Sequence, residues 1–514
     1  MLYKRNILQL LEEQVEKRPG KAAFGDPAGD ITYKELYDLA RKIGTYLTGK
    51  IDRCDPVCFY MEKSCKAVAG MFGAVYAGGF YSFLDVRQPK NRAEKIIDKL
   101  SPKVIFTDEN MLEKAEELSL KDGQKVVLID DVIADDTIGT DDSALAIIRE
   151  KSMDTDPLYV NFTSGSTGEP KGVTVSHRSV LEFISYFTDI FGITDSDIMA
   201  NQAPFDFDVS VKDIYSGLMT GAKVQLIPRE YFSAPTTLMD YLTEKDVTVL
   251  VWAVSAMCFV AIMNGLEYKK PENIRMIMFS GEVMPIKHLN HWKKFYPDAT
   301  YVNLYGPTEI TCNCTYHILD REYGDTEMIP AGIPFPNEHV FLLDDNDNEV
   351  TKPGEEGEIC VSGTCLALGY YDDKDRTDAV FMQNPLNKRY IEMMYRTGDL
   401  GKFGEDGLLY YTSRKDFQIK HLGQRIELGE IEVCVMAEEG VERACCIYDN
   451  EKKKIVLFYE GWVDKKDLLG HLKVSLPQYM VPSNVRQLDK LPVNKNGKID
   501  RGALKKLYEE KKAK

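Results

Sequence analysis

Thr163-Ser-Gly-Ser-Thr-Gly-Glu-Pro-Lys-Gly172 is the stretch on which the reading of this chain turns. It sets hydroxyl side chains, three glycines and one lysine in a single loop. The residues before it, Leu158-Tyr-Val-Asn-Phe162, are apolar and β-prone. Those after it, Ser176 to Phe191, have helical periodicity, with Ser176 placed as a cap. A Gly/Ser/Thr loop leaving a strand can wrap backbone N–H groups and hydroxyls around phosphate oxygens, and Lys171 adds charge. The Gly-x4-Gly-Lys-Ser/Thr spacing of the common P-loop is absent. Read alone, the stretch also fits a surface loop, because Gly and Ser punctuate loops everywhere.

Outward from the loop, short β-prone runs alternate with helical stretches: Val104-Ile-Phe106, Lys125 to Ile129, Thr248 to Val251, Met276 to Phe279. Such alternation predicts layered α/β architecture. From about residue 330 the pattern becomes β-rich and punctuated by turns, with Val340 to Leu343, a Pro353-Gly turn and Glu358 to Val361. Asp135 to Asp142 reads as an acidic surface loop, and Leu504 to Lys514 as a solvated Lys/Glu-rich terminal helix. The 514 residues exceed the size at which one core keeps growing, so several domains are expected. No apolar run approaches a membrane span, and the first residues, Met1-Leu-Tyr-Lys-Arg-Asn, lack the apolar core of a signal peptide. Those features predict a cytoplasmic protein without membrane insertion. The 11 cysteines show no Cys-x2-Cys pairing, which argues against zinc and for reduced thiols. A net charge of −17 argues against a nucleic-acid binder, so an anionic nucleotide must be held by local basic groups.

Further motifs follow in order. They are Ile31-Thr-Tyr-Lys-Glu-Leu36, Tyr76-Ala-Gly-Gly-Phe-Tyr-Ser-Phe-Leu-Asp85, Phe207-Asp-Val-Ser-Val211 and Asn303-Leu-Tyr-Gly-Pro-Thr-Glu309. Then come Gly357-Glu-Ile359 with Gly369-Tyr370, Tyr395-Arg-Thr-Gly-Asp-Leu400, Ser413 to Glu432, Leu476-Pro-Gln-Tyr-Met-Val-Pro482 and Asn496-Gly-Lys-Ile-Asp-Arg501. Together with the loop, this series resembles the adenylate-forming superfamily: acyl-CoA and aryl-CoA synthetases, luciferases and the adenylation domains of nonribosomal peptide synthetases. Phe83 stands where the second signature usually has proline. The resemblance implies an α/β fold: a large N-terminal domain of layered α/β subdomains plus a β-barrel-like subdomain, with a small mobile α+β C-terminal domain. The boundary it implies divides residues 1–413 from 414–514, with a hinge at Asp416. No Gly-Gly-x-Ser carrier site follows, so a separate phosphopantetheinylated carrier protein is the expected partner.

Joining a carboxylate to the α-phosphate of ATP brings two anions together. The site needs a cation, a Mg²⁺ ligand and a phosphate cradle. The resemblance supplies a residue for each. Thr163, Ser164, Gly165, Ser166, Thr167, Gly168 and Lys171 would cradle phosphates. Lys498 would bridge the substrate carboxylate and the α-phosphate; its other reading is a hairpin-tip lysine. Glu309 would hold Mg²⁺, with Gly306 and Thr308 beside it. Tyr305 would stack on adenine and Asn303 would read the base edge. Asp399 would accept both ribose hydroxyls, as two carboxylate oxygens suit a cis-diol. Arg414 and Tyr411 would lie near the nucleotide; a salt bridge and strand packing are their alternatives.

Asp208 aligns with the aspartate that binds the α-ammonium of amino-acid substrates, which acyl-CoA and aryl-acid members generally lack. The same alignment puts Val209, Lys212, Ala253, Met278, Ser280, Leu304, Cys312 and Asn313, with Lys498, around the substrate. Phe207 to Asp213, Ser280 to Pro285 and Asp416 to Lys420 look especially like D-alanine:carrier-protein ligases. Lys212, Ser280 and Asn313 nevertheless make the pocket more polar than alanine needs. Lys212 would pair either with a carboxylate on the substrate side chain or with its neighbour Asp213. The expectation is a stand-alone ligase that adenylates an amino acid with ATP and Mg²⁺, then thioesterifies a carrier. The alternatives are an acyl- or aryl-CoA ligase, opposed by Asp208, and a nucleotide-binding regulatory module without chemistry, opposed by Lys498, Glu309 and Asp399.

Overall fold

The computed structural model describes residues 4–164, 169–324, 327–415, 418–492 and 499–510. The chain divides into two compact units: Met1–Val86, Leu100–Asn161 and Gly172–Lys415 in the larger, and Arg87–Lys99, Phe162–Lys171 and Asp416–Lys514 in the smaller.

The larger unit is layered α/β. Six parallel strands form the middle of a nine-stranded sheet, in the order Thr300–Tyr305, Met276–Ser280, Val249–Ala253, Ile198–Asn201, Lys223–Leu226, Ala22–Asp26. Antiparallel strands flank them on both sides. Val-Leu-Val-Trp-Ala at 249–253 and Met-Ile-Met-Phe-Ser at 276–280 are buried throughout, as a parallel sheet covered on both faces requires. Alternate residues divide between two cores. Val251, Met278, Val302 and Leu304 pack with Val209, Val211, Ile214 and Leu218. Leu250, Trp252, Ile277, Phe279 and Tyr301 pack on the opposite side with Trp292.

A seven-stranded sheet runs Gly369–Tyr370, Lys171–Ser176, Pro157–Thr163, Phe80–Phe83, Pro56–Tyr60, Val104–Thr107, Lys125–Leu128. The turn-rich region forms a third sheet. Its long strand Met393–Phe403 pairs Phe381–Gln383 through its first half and Leu409–Arg414 through its second, with a register break between Leu400 and Gly401.

Local chemistry sets several boundaries. The motif Ile31 to Leu36 is a capping box: the Thr32 hydroxyl accepts from the Glu35 amide at 3.2 Å, and the Thr32 amide donates to the Glu35 carboxylate at 2.8 Å. Ser176 caps the helix His177–Ile190 by accepting from the Ser179 amide. Three expectations are corrected. Lys171 and Gly172 belong to a strand, Lys171–Ser176, not to the loop, because Val173 and Val175 are β-branched and buried. Asp141 caps the helix Asp142–Lys151, so Asp142 is helical and not part of an acidic loop. The terminal helix Arg501–Glu510 buries Leu504 and Tyr508, spaced i and i+4, against Phe458 and Cys445, so it is packed and not merely solvated.

The smaller unit has a three-stranded sheet of Val441–Asp449, Lys454–Gly461 and Asn484–Gln487, and a hairpin of Gln418–His421 with Gln424–Glu427. Helices Leu428–Met436 and Lys465–Ser475 cover it. All eleven cysteines are free. Among the described residues no helix is long and apolar enough to cross a membrane.

His177 opens its helix from inside the core. Its Nδ1 accepts from the Ile7 amide at 3.2 Å, so the ring is neutral at that atom. Burial, with Arg149 nearby, pushes its pKa down to about 3. The folded value lies below the unfolded one, so its contribution is complete above pH ~6.5 and is lost as pH falls toward 3. Denaturant melts at pH 7 and pH 5 should show His177→Gln losing about 2 kcal/mol less stability than wild type between those pH values.

Candidate active site

The site forms at the carboxyl edge of the parallel strands, where open α/β sheets bind ligands. Ala253, Ser280 and Leu304 pair in register across three adjacent strands, which sets them in one row. Met278 lies two residues before Ser280, on the same face. Over that face runs the helix Ser210–Thr220, which begins with a tight turn: the amides of Ser210, Val211 and Lys212 donate to the carbonyls of Phe207, Asp208 and Val209. Asp208 and Val209 therefore stand at the helix start, with Lys212 in its first turn. Asp208 is 5% exposed and Lys212 fully buried. Lys212 Nζ donates to Asn313 Oδ1 at 2.7 Å and to Ser280 Oγ at 3.4 Å. Burial pushes the Cys312 thiol up to about 12; Lys212 opposes that rise and Asp208 adds to it, so both charges lie close to the sulfur. Lys212, Ser280, Asn313 and Cys312 are thus in contact, with Asp208 beside Cys312, and Ala253, Met278 and Leu304 share one face of the sheet.

The wall carrying Cys312 and Asn313 has a strained backbone. Thr311 and Cys312 both have positive φ, at 54° and 79°. A β-branched residue in the left-handed region is costly, so neighbours must hold it there. The Thr311 hydroxyl donates to the Cys365 carbonyl at 2.6 Å, and the Cys314 amide to the Tyr305 carbonyl at 2.9 Å. Nothing in the sequence signalled this strain.

On the nucleotide side, Glu309 is fully buried in the short 3₁₀ turn Thr308–Ile310. The Tyr370 hydroxyl donates to its Oε1 at 2.7 Å. Tyr370 belongs to the Gly-Tyr motif, but no role was read for its phenol from sequence. Asp399 is 1% exposed. It accepts from Tyr305 Oη at 2.7 Å and from Arg414 Nη1 at 2.6 Å. Arg414 therefore forms a buried ion pair. The Tyr305 ring lies 6.2 Å from Tyr411, tilted by 40°. Burial, then the Asp399 charge, holds the Tyr305 phenol far above its usual pKa, so it donates. Asn303 Nδ2 donates to the Pro330 carbonyl at 2.7 Å, which fixes the amide and leaves its oxygen and its second N–H to read a base edge. Gly306 and Thr308 lie between these residues on the same chain segment.

Within the smaller unit, the Thr163 hydroxyl is buried with no described partner. Ser164 Oγ donates to the Arg425 carbonyl at 2.9 Å, and Lys171 is buried. An orphaned hydroxyl at the mouth of a Gly/Ser/Thr loop fits a phosphate oxygen. A single buried carboxylate such as Glu309 fits Mg²⁺, which takes one or two carboxylates with substrate phosphates and keeps waters. Gly165, Ser166, Thr167, Gly168, Asp416 and Lys498 lie outside the described residues.

The Asp399 cluster can be tested by unequal losses. Asp399→Asn leaves the buried Arg414 charge without its partner and should cost about 3 kcal/mol in urea unfolding. Tyr305→Phe removes one neutral donor and should cost about 1 kcal/mol. Equal losses would show that the ion pair does not dominate the cluster.

The family profile described as AMP-binding enzyme matches residues 11–371. Zwittermicin A synthase ZmaJ of Bacillus cereus is 32% identical over 519 residues, covering 98% of this chain and 95% of the relative. A D-alanine--D-alanyl carrier protein ligase of Staphylococcus epidermidis is 30% identical over 509 residues, covering 96% of this chain and 98% of the relative. The crystal structure of the Vibrio cholerae adenylation domain AlmE, in complex with glycyl-adenosine-5'-phosphate, shares the fold with a TM-score of 0.84 at 21% identity over 99% of each chain. The chain belongs to the AMP-binding enzymes, as an adenylate-forming ligase of the nonribosomal peptide synthetase adenylation and D-alanine carrier protein ligase type.

Proposed function

We propose that this ligase activates an amino acid with ATP and passes the aminoacyl group to the phosphopantetheine thiol of a separate carrier protein in the cytoplasm. The observation that carries the reading is the position of Asp208, a buried carboxylate at the start of the helix whose first turn sends Lys212 to Ser280 of the row Ala253, Ser280, Leu304. A carboxylate there suits a substrate ammonium by a charge-assisted hydrogen bond and disfavours a fatty or aryl acid. The substrate carboxylate oxygen then bonds to the α-phosphorus, and the bond from that phosphorus to the bridging oxygen breaks, releasing pyrophosphate. In the second step the carrier sulfur bonds to the acyl carbon, AMP leaves, and the thiol proton is lost.

In this reading Asp208 orients the ammonium and Lys498 neutralises charge where carboxylate and α-phosphate meet. Asp399, with Arg414 and Tyr305, holds the ribose, Tyr411 flanks the adenine, and Asn303 reads the base edge. Thr163 to Gly168 and Lys171 take the phosphates. Glu309, held by the Tyr370 hydroxyl, would hold Mg²⁺, which supplies charge neutralisation on the phosphates when bound. The hinge at Asp416 would let Lys498 leave before the thiol arrives. The carrier-protein part of the reading is supported by the relative named a D-alanine--D-alanyl carrier protein ligase, which this chain matches over almost the whole length of both.

ATP–pyrophosphate exchange against a panel of amino acids, fatty acids and aryl acids tests it. Exchange should require an amino acid; exchange with fatty or aryl acids alone rejects the reading. Lys498→Ala should lower adenylate formation by at least ~10²-fold, while transfer from preformed adenylate loses far less. Equal loss in both steps would reject the departure of Lys498 between them.

A further inference from the structure

The pocket holds a fully buried lysine whose described hydrogen bonds all go to uncharged groups. Lys212 is completely buried, and its two described hydrogen bonds go to an amide oxygen and a hydroxyl, Asn313 Oδ1 and Ser280 Oγ. The Cys312 sulfur is its other close neighbour, and among the described residues its hydrogen bonds include no carboxylate. Buried charges are normally paired, because taking an ammonium out of water costs several kcal/mol.

Asp213 is the internal candidate, and the structure turns it elsewhere. It is the next residue on the helix, about 100° around the axis. Its Oδ2 accepts from Asn201 Nδ2 at 2.9 Å, and its Oδ1 has no described partner. Burial pushes its carboxyl up to about 7, against the Asn201 hydrogen bond and then the charges of Lys212 and Lys63. Asp213 thus lies between two lysines, while Glu62 and Asp206 also act on Lys63, whose own pKa burial pushes down to about 7. Lys63 in turn spends its donors on the carbonyls of Asn201, Gln202 and Ala203 and on Asn201 Oδ1. Asp208 is the other nearby acid, and an amino-acid ammonium would occupy it. With Asp208 taken by the substrate ammonium, a neutral side chain would bring no anion to Lys212.

We infer that the substrate side chain carries an anion, and that Lys212, braced by Asn313 and Ser280, binds it. This rests on the amino-acid reading above and narrows it to acidic amino acids of the aspartate and glutamate class. Asn313 and Ser280 accept from the ammonium and so aim it, which makes them positioning residues for Lys212. The row Ala253, Ser280, Leu304 places that contact at the sheet edge, where the pocket ends.

The test is exchange kinetics with aspartate, glutamate, asparagine, glutamine, serine and alanine, in wild type, Lys212→Met and Asn313→Asp. Wild type should favour an acidic amino acid over its amide by roughly 100-fold or more in kcat/KM. Lys212→Met should erase or invert that ratio. Asn313→Asp sets a carboxylate beside Lys212 inside the protein, so it should neutralise the lysine and shift preference to neutral amino acids without removing any volume. It serves even if Lys212→Met does not fold, which a thermal melt reports. Best exchange with alanine or serine in wild type, or an unchanged ranking in both variants, overturns the inference while leaving amino-acid activation intact. Exchange with no amino acid at all overturns the underlying reading, and this inference with it.

Discussion

A buried carboxylate must be compensated where it lies, and in this protein Asp399 makes three parts of the larger unit answer to that constraint. Tyr305 approaches it from the last parallel strand of the nine-stranded sheet, and Arg414 from the neighbouring strand of the turn-rich sheet. Arg414 is its register partner within the turn-rich sheet, whereas Tyr305 reaches it only because the two sheets abut at that point. The nucleotide side of the site is thus not a surface onto which residues were added. It is a seam where the Tyr305 phenol of one sheet donates to a carboxylate that the other sheet pairs with Arg414, so its polar groups are already oriented before any ligand arrives.

Much of this arrangement can be read from sequence, for local reasons. Thr32 with Glu35 and Ser176 with Ser179 follow from capping chemistry three residues apart, which leaves a short-range signature. The pocket row is legible because parallel strands put the residues at their carboxyl ends side by side, so Ala253, Ser280 and Leu304 fall into line once the strands are placed. The series of motifs located the rest by resemblance, including Asp208 and Lys212 at the head of one helix.

What the sequence hides is long-range or conformational. Tyr370 and Glu309 are 61 residues apart, and nothing local links their side chains. The left-handed backbone at Thr311 runs against its β-branched preference, so propensity points the wrong way. Lys171 was read with the loop because Gly172 follows it, while the valines that commit it to a strand lie just beyond. The terminal helix looked solvated because its lysines and glutamates outnumber Leu504 and Tyr508. Two apolar residues one turn apart are enough to anchor it.

Gly306 shows how such a site is able to diverge. A side chain there would meet the Asn313 Cα at 2.5 Å, the Cys312 carbonyl at 2.7 Å and the Cys314 amide at 2.9 Å, all backbone. The nucleotide motif and the pocket wall are therefore pressed together main chain to main chain. The side chains of Cys312 and Asn313 can be exchanged without shifting that contact, whereas the path of the chain cannot move. Side chains on this wall can thus change one at a time, while the main chain that carries them stays pinned to Gly306.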